Sequence, residues 1–295
     1  MAMRDYLAGE VAADCADGFI SRREALRRLA LLGIGLGTAT TLLEACGGDD
    51  DAAVPAGTTA PTAPTTIAGA ADAQATSFAG PNGELLAAYA AAASPKGAVL
   101  LVHENRGLTP HFFDLAGRFA ADGYSALCVD LLSAQGGTAA LTDPAGAPAA
   151  LSAAPVEQLL ADLGAGIDEL QSRVPDANVG VVGFCFGGGM TWNLLDAGEE
   201  RLAAAVPFYG PAPDAPDFSG ANAAVLAIYA GEDDRVNASR DRAVAALEVA
   251  GLTHEVKTFD GVDHAFFNDT GPRYDEAAAT EAYALVLDWF GRYLA

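Results

Sequence analysis

Cys185 is the residue of this sequence whose surroundings best suit covalent chemistry. It stands at the centre of Gly183-Phe184-Cys185-Phe186-Gly187, after the apolar run 178–182 and before the glycine-rich stretch 188–195. The pattern predicts a strand, a sharp turn and a helix with the thiol at the apex, where glycines without a Cβ permit close packing. The N-terminus of a helix favours a thiolate and an oxyanion. The alternative is an inert cysteine buried at a glycine-rich strand end.

A thiol nucleophile needs a base that takes its proton and a third group that orients the base. His264 follows the last predicted strand, and Asp233 follows the end of the strand before it. Asp234 is the next residue, so the spacing leaves both aspartates open, and either could cap the helix that begins near Asn237. A loop histidine bonded only to its neighbours is the alternative for His264. The chain order of nucleophile, acid and histidine is that of the α/β-hydrolases.

Strands and helices alternate along the part of the chain that must position these residues. We predict a hairpin (76–89), six buried strands (97–103, 125–130, 178–182, 202–209, 223–230, 254–259) and helices over 111–122, 155–174, 188–195, 238–250 and 276–294. Residues 133–152 are predicted to form a long loop near the site. The alternation indicates an α/β-hydrolase fold, which is a mostly parallel sheet with helices on both faces. Ligands of such sheets bind at the carboxyl ends of the strands.

Four short motifs within residues 76–295 resemble the dienelactone hydrolase (carboxymethylenebutenolidase) family. They are His103-Glu104-Asn105-Arg106-Gly107, Gly183-Phe184-Cys185-Phe186-Gly187-Gly188, Ala230-Gly231-Glu232-Asp233 and His264-Ala265-Phe266. Most α/β-hydrolases have serine at the turn, so a cysteine together with the first motif is a specific combination. The resemblance implies hydrolysis of a lactone or an ester through an acyl-thioester intermediate. It makes Cys185 the nucleophile, His264 the base and Asp233 the orienting acid.

The same resemblance implies roles for three residues around the thiol. Glu104 matches an additional carboxylate that holds the thiol in its resting state until substrate displaces it. A solvated loop carboxylate is the alternative for Glu104. The backbone N–H groups of Phe186 and Asn105 are expected to form the oxyanion hole.

The arginines near the predicted site differ from the pattern of the family, which grips an anionic substrate with arginines. Residues 266–270, after His264, contain no arginine. Arg106 and Arg235 are the remaining basic candidates, and we assign substrate contact to Arg106, with a surface or structural ion pair as its alternative. The sequence therefore does not identify the substrate. The alternative is that the protein is an exported carboxylesterase with an unrelated substrate.

The first 75 residues have the composition of an export leader and a linker. Residues 1–20 show no pattern that we can interpret, whereas residues 21–28 are basic and residues 29–43 are mostly apolar. The pair Arg22-Arg23 before such a stretch resembles a twin-arginine export signal. We predict a signal peptide over 1–45, a disordered tether rich in Ala, Thr, Pro and Gly over 46–75, and one hydrolase domain over 76–295.

Cys46 is the candidate for lipid attachment. Leu43-Glu44-Ala45-Cys46-Gly47 resembles a bacterial lipobox, with Glu44 where a small or apolar residue is usual. A lipid on Cys46 would anchor an exported protein to a membrane face without spanning it. An ordinary thiol near a different cleavage site is the alternative.

Composition restricts the partners of the protein. Sixteen basic and 39 acidic residues give a net charge of −23, which argues against nucleic acid because phosphate contacts require Lys and Arg. The cysteines form no CxxC pair and no histidine pair has zinc-like spacing, so we predict neither a metal site nor a cofactor. The predicted partner is a small ester or lactone, and a monomer is favoured. Two rival functions are a redox-active Cys185 and a non-catalytic ligand-binding lipoprotein.

Overall fold

The computed structural model describes residues 3–44, 46 and 72–295, and an eight-stranded sheet forms its centre. The strands are β1 (Gln74–Gly80), β2 (Gly83–Ala90), β3 (Gly97–Val102), β4 (Tyr124–Val129), β5 (Val179–Phe184), β6 (Leu202–Phe208), β7 (Ala224–Ala230) and β8 (His254–Phe259). Their order across the sheet is β1-β2-β4-β3-β5-β6-β7-β8. Strands β1, β2 and β4 pair antiparallel, and all the other pairings are parallel. The predicted hairpin and mostly parallel sheet are confirmed.

Parallel neighbours can be joined only by a crossover, and helices make this connection except between β6 and β7, where residues 209–223 make it without a helix. The helices in the described part of the chain are α1 (Met3–Ala16), α2 (Arg22–Leu31), α3 (Leu36–Leu42), α4 (Pro110–Ala121), α5 (Ala147–Ala153), α6 (Val156–Arg173), α7 (Phe186–Asp196), α8 (Asp234–Asn237), α9 (Arg240–Ala250) and α10 (Glu276–Tyr293). Five of them, α4, α6, α7, α9 and α10, correspond to helices expected from the sequence.

The central strands are buried on both faces. Every residue of β3, β4, β5 and β7 is buried, which agrees with their continuous runs of Val, Leu and Ala. Phe119 of α4 packs against Tyr283 and Phe290 of α10, whereas α6 packs against α7. The two helix pairs cover the sheet, and the carboxyl ends of its strands are left to the loops that carry the site.

Residues 133–152 are more ordered than the predicted long loop. They form three 3₁₀ turns, at Ser133–Gln135, Thr138–Ala140 and Pro144–Gly146, and then enter α5. The buried Asp130 side chain stabilises the first part, since its carboxylate accepts hydrogen bonds from the backbone N–H groups of Leu132 and Thr138. The prediction was wrong here because short side-chain-to-backbone bonds leave no periodic pattern in a sequence.

The N-terminal segment, defined here as residues 3–44 and 46, contains α1, α2 and α3. Six residues of α1 are buried, among them Tyr6, Leu7 and Val11, and α1 packs against both α2 and α5. No helix in the described residues is long and apolar enough to cross a membrane. The twin-arginine signal stays a prediction. The predicted tether lies largely outside the described residues, which resume at Asp72.

Candidate active site

The turn after β5 has the strained geometry that the glycine pattern predicts. Cys185 has a φ of +57° and joins β5 directly to α7. A Cβ on Gly183 would lie 2.0 Å from the carbonyl oxygen of Gly187, and a Cβ on Gly187 would lie 2.1 Å from that of Val102. Only glycine fits at either position, so the main chain itself holds the thiol at the apex.

Asp233 and His264 meet at the carboxyl ends of β7 and β8. His264 Nδ1–H donates to Asp233 Oδ2 at 2.5 Å, and the other carboxylate oxygen accepts from Val236 N–H at 3.2 Å. The Asp233 side chain is buried, whereas Asp234 is exposed at the start of α8. The spacing left two aspartates open, and the structure brings Asp233 to the histidine.

Cys185 and His264 are both almost completely inaccessible, at 3% and 4% exposure. The Cys185 sulfur, one ring nitrogen of His264 and a carboxylate oxygen of Glu10 all lie within 4.8 Å of one another. The ring of Tyr209 packs edge-on against the imidazole, with 5.0 Å between the ring centroids. The predicted nucleophile and base therefore lie in one buried centre, together with a carboxylate from α1 that was not predicted.

The charges of this centre set the protonation of the thiol. Burial raises the pKa of Cys185, and the nearby Glu10 carboxylate raises it further, while His264 acts in the opposite direction. Because the first two effects prevail, the thiol keeps its proton in this arrangement.

His264 shows the complementary effect. Burial alone would lower its pKa, but the carboxylates of Glu10 and Asp233 outweigh burial and raise it well above the usual value. For Asp233, burial is outweighed by His264, and the pKa of its carboxyl is lowered. The imidazole is thus held in its protonated form, with carboxylates on two sides.

Glu104 does not make the contact with the thiol that the resemblance implies. Its Oε2 accepts a hydrogen bond from Asn268 Nδ2 at 2.7 Å, and its Oε1 is buried with no hydrogen-bond partner. The Cys185 sulfur is instead hydrogen-bonded to the Tyr6 hydroxyl, at 3.2 Å. The expected resting-state partner is therefore replaced by a residue of the N-terminal segment.

The two residues predicted to supply oxyanion-hole donors flank the thiol from different elements. Phe186 opens α7, where a backbone N–H has no partner within the helix. Its side chain is fully buried against the ring of His103. Asn105 follows β3 and lines the cavity beside Cys185. Both positions suit the donors that an oxyanion hole requires.

A cavity of about 550 Å³ opens beside Cys185 and His264. Its lining includes Glu104, Asn105 and the exposed Arg106, which makes no hydrogen bond or ion pair within the described residues. Arg106 is therefore available to a ligand, and its contact with the substrate stays a prediction. The volume suits a small organic substrate.

Two further arginines near the site are already engaged. Arg235 forms an ion pair with Glu10 and lies 3.7 Å from Asp233 Oδ1. Arg273, which sequence reasoning missed, lines the cavity and pairs with acidic residues of the N-terminal segment. Arg273 lies nine residues after His264, and this spacing does not predict a place in the site. The course of the loop between the two residues brings Arg273 back to the cavity.

Tyr6 and Glu10 are the other site residues that sequence reasoning missed. Glu10 Oε2 lies 3.3 Å from His264 Nε2 in an ionic contact that is not a hydrogen bond. One turn earlier in α1, Tyr6 contacts the thiol. Nothing in residues 1–20 indicated these contacts, which join positions separated by 179 residues or more.

Cys46 is bonded to Cys15 in a disulfide. A thioether-linked lipid and this disulfide cannot occupy the same sulfur, so the structure describes Cys46 in a form other than the one predicted. Lipid attachment is untested and stays a prediction. Disulfides persist in oxidising compartments, which is consistent with export.

Glu10, Cys185 and His264 are also the group of side chains in the described residues that could hold a metal ion. These three side chains are instead engaged in hydrogen bonds and ion pairs. Cys185 contacts Tyr6, His264 contacts Asp233 and Glu10, and Glu10 contacts Arg235. Arg235 already compensates the charge of Glu10, and a second cation so close would be repelled by the guanidinium. The absence of a metal site stays a prediction from the sequence.

The fold and this geometry define the class of the protein. A strained cysteine turn follows β5, an acid follows β7 and a histidine follows β8 in a mostly parallel eight-stranded sheet. This is the architecture of an α/β-hydrolase.

The chain belongs to the dienelactone hydrolase family, a family of carboxylic ester hydrolases, and the match spans residues 85–294. A Salmonella typhi protein that carries the name carboxymethylenebutenolidase is 33% identical over 258 residues, covering 79% of this chain and 93% of that protein. An Escherichia coli K12 protein of the same name is 30% identical over 215 residues, covering 68% of this chain and 78% of that protein.

A solved structure supports the same assignment. The crystal structure of a protein from Klebsiella pneumoniae subsp. pneumoniae MGH 78578, named as a dienelactone hydrolase, matches with a TM-score of 0.66 at 29% identity. The match covers 75% of this chain and 98% of that chain. The N-terminal segment lies outside the residues that match the family.

Proposed function

We propose that this protein hydrolyses a small lactone or ester through Cys185, His264 and Asp233, with an acyl-thioester intermediate. One observation carries the proposal: the carboxylate of Asp233 holds His264 Nδ1 while the ring lies in the same buried centre as the thiol. The base is thereby oriented by its acid, as acyl transfer by a weak nucleophile requires.

The reaction begins from the form of the site in which His264 is neutral, when the thiol loses its proton to the imidazole. The sulfur attacks the carbonyl carbon, a carbon–sulfur bond forms, and the carbonyl electron pair moves to the oxygen. The N–H groups of Phe186 and Asn105 stabilise this oxyanion, and each such donor contributes about 3 to 4 kcal/mol in comparable sites. When the oxyanion collapses, the carbon–oxygen bond breaks and the leaving oxygen takes the proton from His264.

Water completes the cycle. It loses a proton to His264 and attacks the thioester carbonyl, after which the sulfur leaves and recovers that proton. A thiol nucleophile suits substrates with good leaving groups, such as the enolate of an unsaturated lactone or the phenolate of an aryl ester. The unengaged Arg106 in the cavity wall supports a substrate with an acidic or polar group.

We also propose that the protein acts outside the cytoplasm. The supporting observation is the Arg22-Arg23 pair before an apolar stretch, and the Cys15–Cys46 disulfide supports an oxidising compartment only for a chain that keeps residues 1–45. Mass spectrometry of the protein from its host membrane fraction tests this, because a lipid on Cys46 and a disulfide to Cys15 give different peptides.

The hydrolase proposal is tested with p-nitrophenyl acetate and an unsaturated lactone. We expect the acetyl group to be trapped on Cys185 after rapid acid quenching, and Cys185→Ala and His264→Ala to abolish turnover. Cys128→Ala is the matched control, since that thiol is fully buried in β4 and should leave turnover unchanged. Equal hydrolysis by all these variants would refute the proposal.

A further inference from the structure

Helix α1 forms one wall of the cavity beside Cys185 and covers the two reacting groups. The Tyr6 hydroxyl lies 3.2 Å from the Cys185 sulfur. Reacting atoms in a near-attack geometry are about 3 to 3.5 Å apart, so the phenol oxygen stands where an acyl carbon has to approach. Glu10 lies 3.3 Å from His264 Nε2, where a leaving oxygen or a water must accept or donate a proton. Both reacting groups are therefore covered by one helix.

The charge of Glu10 adds to this steric cover. A cysteine hydrolase needs its imidazole to take the proton of the thiol, which yields a thiolate beside an imidazolium. Here the Glu10 carboxylate is the counter-ion of His264 in place of the thiolate. The imidazole of His264 is protonated although Cys185 keeps its proton. Cys185 is therefore not a thiolate, and His264 cannot act as a base.

Two arginines of the hydrolase domain hold α1 and the turn after it. Arg235 forms an ion pair with Glu10, donates to the carbonyl oxygen of Tyr6 at 3.2 Å and stacks over the Tyr6 ring. This cation is largely buried with its partners, and removing one member of such a buried set strongly destabilises it.

Arg273 repeats this arrangement at the end of the helix. It pairs with Asp14 at 3.0 Å and Asp17 at 2.5 Å, and its guanidinium lies 4.7 Å from the centroid of the Phe19 ring. Each arginine thus binds acidic and aromatic groups of the N-terminal segment. The apolar side chain of Leu7, fully buried in α1, completes the attachment.

We propose that α1 is an autoinhibitory element that blocks the active site and must leave the cleft before the enzyme turns over. The inference rests on the proposed hydrolase function, and it concerns residues outside the family match. The departure of α1 from the cleft does not require cleavage of a covalent bond to the hydrolase domain. The Cys15–Cys46 disulfide lies within the N-terminal segment, so α1 and its attached helices can leave together.

Two substitutions in the full chain test the proposal. Glu10→Lys places a cation against Arg235 and the imidazolium, and Leu7→Asp buries an unpaired carboxylate away from the catalytic groups. Asp5→Lys is the matched control, because it makes the same kind of charge change on an exposed position of α1. All three positions lie outside the family match, so the hydrolase domain is left unaltered.

The first readout is kcat/KM for p-nitrophenyl acetate. If the closed state is populated to about 99%, opening raises the fraction of competent enzyme by up to roughly 100-fold. We expect Glu10→Lys and Leu7→Asp to raise kcat/KM about 10- to 100-fold and Asp5→Lys to leave it unchanged. Unchanged or lower activity in both opened variants would overturn the inhibitory role, and lower activity would instead make α1 part of the working site.

The second readout is the rate of Cys185 alkylation by iodoacetamide without reductant, followed by peptide mapping. Cys128 is buried and Cys15 and Cys46 are paired, so Cys185 reports the opening of the cleft. We expect faster alkylation in both opened variants. If alkylation accelerates and no variant hydrolyses any ester or lactone, α1 covers the thiol and the proposed hydrolase function is wrong. If neither rate changes while hydrolysis proceeds, the inhibitory proposal is wrong.

Discussion

The hydrolase domain and the N-terminal segment contribute to the same centre by different physical means. In the domain, the main chain positions the chemistry, since a positive φ at Cys185 and the ends of β7 and β8 bring the thiol, acid and histidine to one edge. In the segment, side chains do so, through the ion pairs of Arg235 and Arg273 and the contact of Tyr6. We therefore expect the first arrangement to persist without the second, because the cysteine turn, β7 and β8 all belong to the domain.

The energetic scale of the two attachments also differs. Continuous buried strands exclude water along their whole length, and each fully buried large apolar side chain contributes roughly 1.5 to 3 kcal/mol. The segment is attached through side-chain contacts, and among these the pair of Arg273 with the 37% exposed Asp17 contributes only about 0 to 1 kcal/mol and is weakened by salt. Loss of the segment is therefore expected to leave the domain folded, whereas a fault in the domain disrupts both.

The largest expected effect separates the two aspartates at the end of β7. Asp233→Asn leaves the imidazole without its orienting carboxylate, and the corresponding change in a serine triad costs about 10⁴-fold in kcat. We expect a loss of about 10³-fold or more, measured in the Leu7→Asp background so that α1 does not limit the rate. Asp234→Asn is the control on an exposed neighbour and should stay within about twofold. Equal losses of kcat in Asp233→Asn and Asp234→Asn would show that Asp233 is not the acid that orients His264.

The next effect tests whether the main chain alone holds the thiol. Gly187→Ala puts a Cβ within 2.1 Å of the Val102 carbonyl oxygen, so β3 or α7 must move. We expect the free energy of unfolding in urea to fall by about 3 kcal/mol or more. Gly146→Ala is the matched control, because a Cβ there meets no atom within 4 Å. A similar small change in both variants would contradict the strain inferred for the turn.

A smaller effect concerns the loop after His264. Burial disfavours the Asp269 carboxylate, but hydrogen bonds from His111 and Arg118 outweigh burial and lower its pKa to about 2. Because the folded-state pKa is below the unfolded value, this group stabilises the fold above about pH 4, and the contribution is lost as the pH falls toward 2. Asp269→Asn should cost about 1 to 2 kcal/mol at pH 7, allowing for partial solvent screening.

The pH dependence is the sharper part of that prediction. Urea unfolding at pH 7 and pH 3 should show the difference between wild type and Asp269→Asn shrinking at the lower pH. Asp260→Asn, at an exposed carboxylate after β8, should show neither effect. A constant difference at both pH values would show that the carboxylate charge is not what stabilises the loop.

The smallest expected effect lies in the N-terminal segment. Asp17→Asn removes one of the acidic partners of Arg273, and the Asp17 side chain is 37% exposed. A pair of this kind contributes about 0.5 kcal/mol, which corresponds to roughly a twofold faster alkylation of Cys185. The effect should disappear in 1 M salt, where such pairs are screened. A salt-independent change of tenfold or more would mean that the segment is held as firmly as the domain.

Most of the domain could be predicted because its signals are local. Buried strands show continuous apolar runs, helices show apolar residues every three or four positions, and the glycines around Cys185 mark a turn with no space for a Cβ. The predictions from the sequence were wrong where isolated polar contacts stabilise the structure. The 3₁₀ turns around Asp130 and the Glu104–Asn268 hydrogen bond are examples.

The α/β-hydrolase fold, the cysteine turn and the chain order of cysteine, aspartate and histidine could be predicted from the sequence alone. These follow from main-chain sterics and from apolar periodicity, which are properties of neighbouring residues. Tertiary packing was needed to bring Asp233 rather than Asp234 to His264, and to place Tyr6 and Glu10 over the thiol and the imidazole. Such contacts join side chains far apart in the chain, and their energy depends on burial and charge that arise only when the elements have packed.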